Sequence, residues 1–362
     1  MKKRWATTYA IFCTLLLVAG FLLVFYFAWK SGTEEIAECI AGLITSLILV
    51  PIIHELGHVN MGLIAKMDYV YVKCFCFKIY LKNGKKRFAF TSPFAADQTQ
   101  MLPQKGGNIK KRASLYTLGG LIYSGAFLFL ILAGGVLAAC LGATTYTLLG
   151  VLPYTAYLFL LNVAPFEYAN GKTDVAVYRG IRKGCDVEKC MLSAMEIQGQ
   201  LAEGKSFSQI EERYYFDLPQ LCEDEPLYAV LLDLRYRYYL EKGEMEKAAD
   251  CLNRLALNEE YLPVAQLEKV AAELVYMHAL TGNLEPAEKN YEVCKNVLQE
   301  ENTAAKRILC AYAFACGKNE AAEVLLGQAK ALLERERIAG VKRFEEILLS
   351  RFENKMGENR EN

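Results

Sequence analysis

The chain has 362 residues, 53% of them apolar, with 41 basic and 41 acidic side chains. That length allows two domains, and the absence of a net basic charge, a P-loop or a Gly-rich dinucleotide motif argues against nucleic-acid or nucleotide binding. The balance conceals a split: residues 1–183 hold 19 Lys+Arg against 8 Asp+Glu, and the remainder 22 against 33. A membrane half followed by a soluble half is the simplest reading.

Four apolar segments are long enough to span a bilayer. The first, about Thr8 to Trp29, follows "MKKR" and lacks a small-residue cleavage site, so it reads as an uncleaved anchor. The second runs from about Ile36 to Ala65, the third from about Leu115 to Leu141, and the fourth from about Thr145 to Pro165. Basic residues flank the N-terminus (Lys2, Lys3, Arg4), the loop between spans two and three (including Lys85, Lys86, Arg87, Lys110, Lys111 and Arg112) and the segment after span four (Lys172, Arg179, Arg182, Lys183). The positive-inside bias therefore predicts a multi-pass protein of the cell membrane with both termini in the cytoplasm.

Between spans two and three, "DYVYVKCFCFKIYLKNGKKRFAFTS" is aromatic and β-branched, with Asn83-Gly84 between its halves. This predicts a cytoplasmic β-hairpin over 68–92, with Cys74 and Cys76 alternating along one strand. The 12 cysteines are scattered and form no C-x-x-C pair, which fits reduced thiols better than a disulfide framework.

From about Val187 the pattern is helical. Gly-x-x-x-x-Ala recurs three times at helix–turn–helix positions: Gly243 with Ala248, Gly282 with Ala287, and Gly317 with Ala322. Glycine permits the tight turn, and alanine lets the second helix pack closely on the first. The pattern resembles tetratricopeptide-type repeats over roughly 225–350. The expected architecture is an all-α polytopic membrane protein with a small β-hairpin and a C-terminal α-helical repeat domain. Its domains are 1–35 (anchor), 36–183 (membrane core) and 187–355 (helical repeats), the last offering a concave face to a protein partner.

The second span carries "HELGH", His54 to His58, in a chain with only three histidines. Residues four apart share a helix face, so both imidazoles can reach one metal ion, while Glu55 is displaced enough to act as general base on a water. Ionisable groups deep in a span cost about 2.5–3.5 kcal/mol each, and persist when paired, metal-bound or facing a water-filled cavity. A catalytic zinc needs a third protein ligand. His278 lies far off on a helix of the soluble half, which leaves a carboxylate: Asp68, Asp97, Glu167 or Asp174.

"HELGH" in the second span, followed by "LNVAPFEYANGKTDV", resembles the site-2 protease family of intramembrane zinc metalloproteases. That family pairs the first motif with Asn-x-x-Pro and a later Asp-Gly. Asn162 to Pro165 matches the first part, and Asp174 follows, although Val175 stands where the pattern has glycine and the gap from Pro165 is longer than usual. The resemblance implies one Zn2+ per chain held by His54, His58 and Asp174, Glu55 as base, and Asn162 as a substrate-positioning or oxyanion residue. Glu167 is the alternative third ligand, and an N-terminal helix cap is the alternative role of Asp174. "LGGLIYSG" near Gly119 resembles the small-residue motif on the third core span of that family.

The implied activity is cleavage of a membrane-associated protein or peptide substrate within the lipid bilayer. Two other classes compete. One is a catalytically idle scaffold or receptor whose repeat domain binds a partner. The other is a metal transporter, which would spread ligands over several spans and carry a His-rich loop, neither of which is present.

Overall fold

The computed structural model describes residues 2–82, 85–92, 97–143, 145–168 and 171–361. The chain divides into two compact units, one of residues 1–102 and 108–188 and the other of residues 103–107 and 189–362. Both are mostly helical.

In the first unit, four helices among the described residues are long and apolar enough to cross a membrane: α1 (Lys2–Ser31), α2 (Thr33–Ile64), α3 (Ile109–Cys140) and α4 (Tyr146–Val163). Trp5 and Trp29, the chain's two tryptophans, stand exposed near opposite ends of α1. At 1.5 Å per residue they are about 36 Å apart, a spacing suited to anchoring in the two interfaces of a bilayer. Large apolar side chains such as Phe129, Leu130 and Val136 on α3 face outward.

Close approach of these helices rests on glycine. A Cβ on Gly57 of α2 would strike the Gly119 backbone of α3, and one on Gly42 would strike Thr147 of α4. Without a hydrophobic drive in lipid, such backbone-to-backbone contact is a main source of helix association. At the start of α4, where the amides lack helical partners, the Tyr146 N–H donates to Glu38 Oε2 of α2 at 3.1 Å. Pro51 lies inside α2 without ending it.

The single hairpin expected over 68–92 is in fact part of a four-stranded sheet in the order β3-β2-β1-β4, built from β1 (Met67–Cys74), β2 (Phe77–Lys82), β3 (Lys85–Phe90) and β4 (Gln98–Pro103). The antiparallel β2–β3 pair brackets Asn83-Gly84, with Lys82 opposite Lys85, though the two turn residues themselves lie outside those described. The first predicted half breaks at Phe75, which takes φ +51 so that β2 folds back on β1 with Cys74 opposite Phe77. A phenylalanine in that region is strained, and a distant group supports the turn: the Phe75 N–H donates to Asp97 Oδ1 at 2.6 Å. Cys74 therefore ends a strand and Cys76 sits in a turn, rather than both alternating along one strand. The Cys74 thiol lies 3.7 Å from the Pro51 carbonyl, joining the sheet to α2.

After α4 a two-stranded ribbon, β5 (Glu167–Tyr168) and β6 (Gly171–Lys172), leads into α5 (Asp174–Lys183). Thr173 ties this corner together. Its hydroxyl donates to the Ala164 carbonyl at 2.6 Å and accepts from the Ala176 N–H, capping α5. Gly184, at φ +69, ends the helix.

The second unit contains most of α6 (Asp186–Ala202), the short α7 (Arg213–Phe216), and three helix pairs: α8 (Pro226–Lys242) with α9 (Met245–Leu257), α10 (Val264–Leu280) with α11 (Leu284–Leu298), and α12 (Thr303–Ala315) with α13 (Asn319–Leu333). A final helix, α14 (Ala339–Glu361), follows. Each pair turns on the glycine that the sequence pattern singles out. Gly243, Gly282 and Gly317 take φ of 79°, 76° and 73°, in the left-handed region. Ala248, Ala287 and Ala322 are all completely buried where the second helix meets the first.

Candidate metal centre

His54 and His58 sit one turn apart on α2 and are both buried, as is Glu55 between them. Their ring centroids are 5.0 Å apart with planes at 83°. Asp174 comes from the first turn of α5. Its Oδ2 is 3.5 Å from His54 Nε2, and its Oδ1 is 3.4 Å from His58 Nε2. Among the described residues, these three are the one group of His, Cys or carboxylate ligand atoms arranged to hold a metal, all within 4.8 Å of one another.

The distances separate two explanations. A protonated imidazole bonded directly to a carboxylate would bring nitrogen and oxygen to about 2.7–2.9 Å. Ligands placed tetrahedrally at about 2.0–2.1 Å from one ion stand about 3.3–3.4 Å apart. The observed 3.4 and 3.5 Å, each to a different carboxylate oxygen, exceed a direct hydrogen bond and leave the three ligand groups close enough to share one ion. Asp174 Oδ2 is also buried with no hydrogen-bond partner in the protein, a cost of about 1–3 kcal/mol or more for a charged acceptor.

Proton placement sharpens the point. His58 Nδ1 lies 2.9 Å from the Tyr116 carbonyl oxygen, which can only accept. Nδ1 therefore carries a hydrogen, and Nε2 is the nitrogen that faces Asp174. His54 Nδ1 lies 2.9 Å from Ser124 Oγ. Both rings are thus held at Nδ1 and turn Nε2 toward the Asp174 carboxylate. Two imidazole nitrogens and one carboxylate oxygen are a donor set that suits Zn2+ with a further position open.

One face of α3 covers the site. Tyr116, Gly120 and Ser124 follow at four-residue spacing. The first gives its carbonyl to His58 and the last its hydroxyl to His54. Between them, a Cβ on Gly120 would come within 2.5 Å of both imidazoles, so only glycine lets the helix lie this close. Such outer partners fix ring orientation and tautomer. Glu55 is held separately: its Oε2 accepts from the Thr99 hydroxyl of β4 at 2.6 Å, and the Tyr116 hydroxyl donates to the Thr99 carbonyl.

Of the carboxylates considered from sequence, Asp174 joins the histidines. Glu167 is exposed on β5, Asp68 is exposed on β1, and Asp97 supports the Phe75 turn and lies 3.5 Å from Lys73 Nζ. The cap of α5 is Thr173, which leaves the Asp174 carboxylate to the histidines. Asn162 turns its amide back on its own helix, donating to the Leu158 carbonyl at 3.1 Å. Ser124, Thr99 and the Tyr116 carbonyl were not identifiable beforehand. The small-residue stretch near Gly119 marked the right helix for close packing but gave no indication that a serine in it meets a histidine.

No family model, no curated protein and no solved structure matches this chain.

Proposed function

We propose that the protein is a membrane-embedded zinc metalloprotease of the site-2 protease type, acting on a membrane-associated protein or peptide. One observation carries the reading: the ligand atoms of His54, His58 and Asp174 converge within 4.8 Å of one another on the helix that also carries Glu55. His54, His58 and Asp174 would hold one Zn2+, which supplies a Lewis acid able to bring the pKa of water down to about 7. Glu55, oriented by Thr99, accepts the proton of the attacking water and delivers it to the leaving amine as the peptide bond breaks. Ser124 and the Tyr116 carbonyl hold the two imidazoles in orientation. Burial between α2, α3 and α5 limits bulk water, so charge developing on the substrate meets little screening.

The same reading makes the four long helices a bilayer-embedded core of the cell membrane, with both termini cytoplasmic, and the three helix pairs a tetratricopeptide-like module for a protein partner. The test is to purify the wild type and His54→Ala in mild detergent and quantify zinc. About one zinc per wild-type chain and almost none in the variant is the expected result. Equal metal in both, or none in either, would leave the idle-scaffold reading. Comparison of membrane proteomes from cells carrying wild type or Glu55→Gln then identifies substrates as full-length proteins that accumulate in the variant.

A further inference from the structure

The four-stranded sheet of the first unit has two unlike faces. The register sets Phe77 opposite Phe90, Ile79 opposite Phe88 and Leu81 opposite Lys86, so these six side chains share one face, which Val72 joins opposite Ile79. The rings of Phe77, Phe88 and Phe90 cluster there, with centroids 5.1 to 5.7 Å apart. Even so, Phe88 is 55% and Phe90 76% exposed. On the other face Lys78 Nζ lies over the Tyr71 ring at 4.4 Å, and Arg87 stands opposite Tyr80.

Charge is graded along the same sheet. Residues 69–92 contain five lysines, one arginine and no acidic residue, and four of those six cations fall within 82–87. That end of the sheet lies level with the start of β1, just after α2 stops at Ile64. The aromatic end lies the other way. Phe77 pairs with Cys74, whose thiol meets the Pro51 carbonyl, and Pro51 lies about 20 Å back along α2 from Ile64. Along β3 itself, Phe90 is about 13 Å from Lys86.

These lengths match one leaflet of a bilayer. A headgroup layer is about 5–7 Å deep, so with the basic end in that layer the phenylalanines reach acyl chains. An exposed aromatic face that runs back along a membrane-crossing helix calls for an apolar cover, and a cation-rich end without acids calls for anions. An anionic phospholipid supplies both in one molecule.

We propose that this face binds anionic phospholipid in the leaflet at the C-terminal end of α2, with acyl chains against Phe77, Phe88 and Phe90 and headgroup phosphates against Lys86 and Arg87. The proposal rests on the reading of α1 to α4 as bilayer-embedded, and involves neither zinc nor cleavage.

The test places the full chain in phosphatidylcholine vesicles, with Trp5→Phe and Trp29→Phe so that Phe90→Trp supplies the one indole, and with lipid brominated in its acyl chains as quencher. Phe90→Trp should be strongly quenched, and Ala89→Trp, on the opposite face, several-fold less. Brominated phosphatidylglycerol should quench Phe90→Trp at about fivefold lower mole fraction than brominated phosphatidylcholine, or lower still, the effect of one or more cations near the headgroups. Lys86→Gln with Arg87→Gln should remove most of that preference. No quenching of Phe90→Trp, equal quenching of Ala89→Trp, no preference for phosphatidylglycerol, or a preference undiminished by the double substitution would overturn the proposal. Phe88→Trp repeats the measurement should Phe90→Trp disturb the sheet. The native tryptophans of the wild type separate the failures: quenching of Trp5 and Trp29 but not of Phe90→Trp overturns the proposal alone, leaving the face to a second copy or another protein, whereas quenching of none of them overturns the bilayer-embedded reading with it.

Discussion

Both units bury charge, but they complete it differently. In the helical-repeat unit, the Arg307 guanidinium is 1% exposed and lies between Glu273 and Glu345, 2.9 and 2.8 Å away, with its charge also over the Tyr276 ring at 4.2 Å. Burial pushes Glu273 up, yet Arg307 and Arg237 overcome this and hold it below the usual carboxylate range. The chain itself supplies the counter-charge there. In the membrane unit, two imidazole Nε2 atoms and a carboxylate face one another, and among the described residues no Lys or Arg is paired with that carboxylate. Buried carboxylates paired with an arginine of the chain fix a fold, whereas clustered ligand atoms without one are candidates to hold an ion.

That contrast can be broken by substitution. The largest effect is expected where the helical-repeat unit loses its buried arginine. Arg307→Met leaves Glu345 unpaired and Glu273 with only the Tyr236 hydroxyl and the Arg237 charge, and should cost about 3–5 kcal/mol in denaturant unfolding of the second unit. Replacing Glu273 and Glu345 by leucine in the same protein should recover most of the loss, since well-packed apolar groups avoid the desolvation cost altogether. A small effect of Arg307→Met alone would mean that the network contributes little to the fold.

In the unfinished array the corresponding change should spare the fold and weaken the ligand. Ser124→Ala removes the support of His54 Nδ1 and is expected to lower metal affinity by about 10–100-fold in chelator competition, with helix content unchanged. Unchanged affinity would show that the serine does not orient a metal ligand. The smallest effect concerns a turn outside both arrays. Gly282 takes φ +76, and nothing lies within 4 Å of an added Cβ, so Gly282→Ala tests backbone strain alone. A loss of about 1–2 kcal/mol with zinc content unchanged is expected. A much larger loss would place an unrecognised contact at the α10–α11 turn.

The parts of this architecture legible in advance share a short range. "HELGH" is readable because helix geometry alone puts His54 and His58 on one face. The Gly-x-x-x-x-Ala pattern is readable because a left-handed turn and a close helix contact select those two residue types. The break at Phe75 was not readable, because the sequence there has neither glycine nor proline and the turn is supported by Asp97, 22 residues away. Arg307 was equally silent, since its partners are 34 and 38 residues distant and a helical arginine is ordinarily solvent-exposed.

Sequence by itself determined four apolar segments, the His54–Glu55–His58 face and the three glycine turns, because each follows from dihedral preference, helical periodicity or solvent transfer within about one element. Tertiary structure decided which carboxylate meets the histidines, since Thr173 takes the cap of α5 and leaves Asp174 directed at them. It also decided that Gly120 lies against both rings and that Ser124 and Thr99 hold the site in place. Such contacts depend on the relative placement of whole helices, which is set by packing over many residues and leaves no local mark on any one of them.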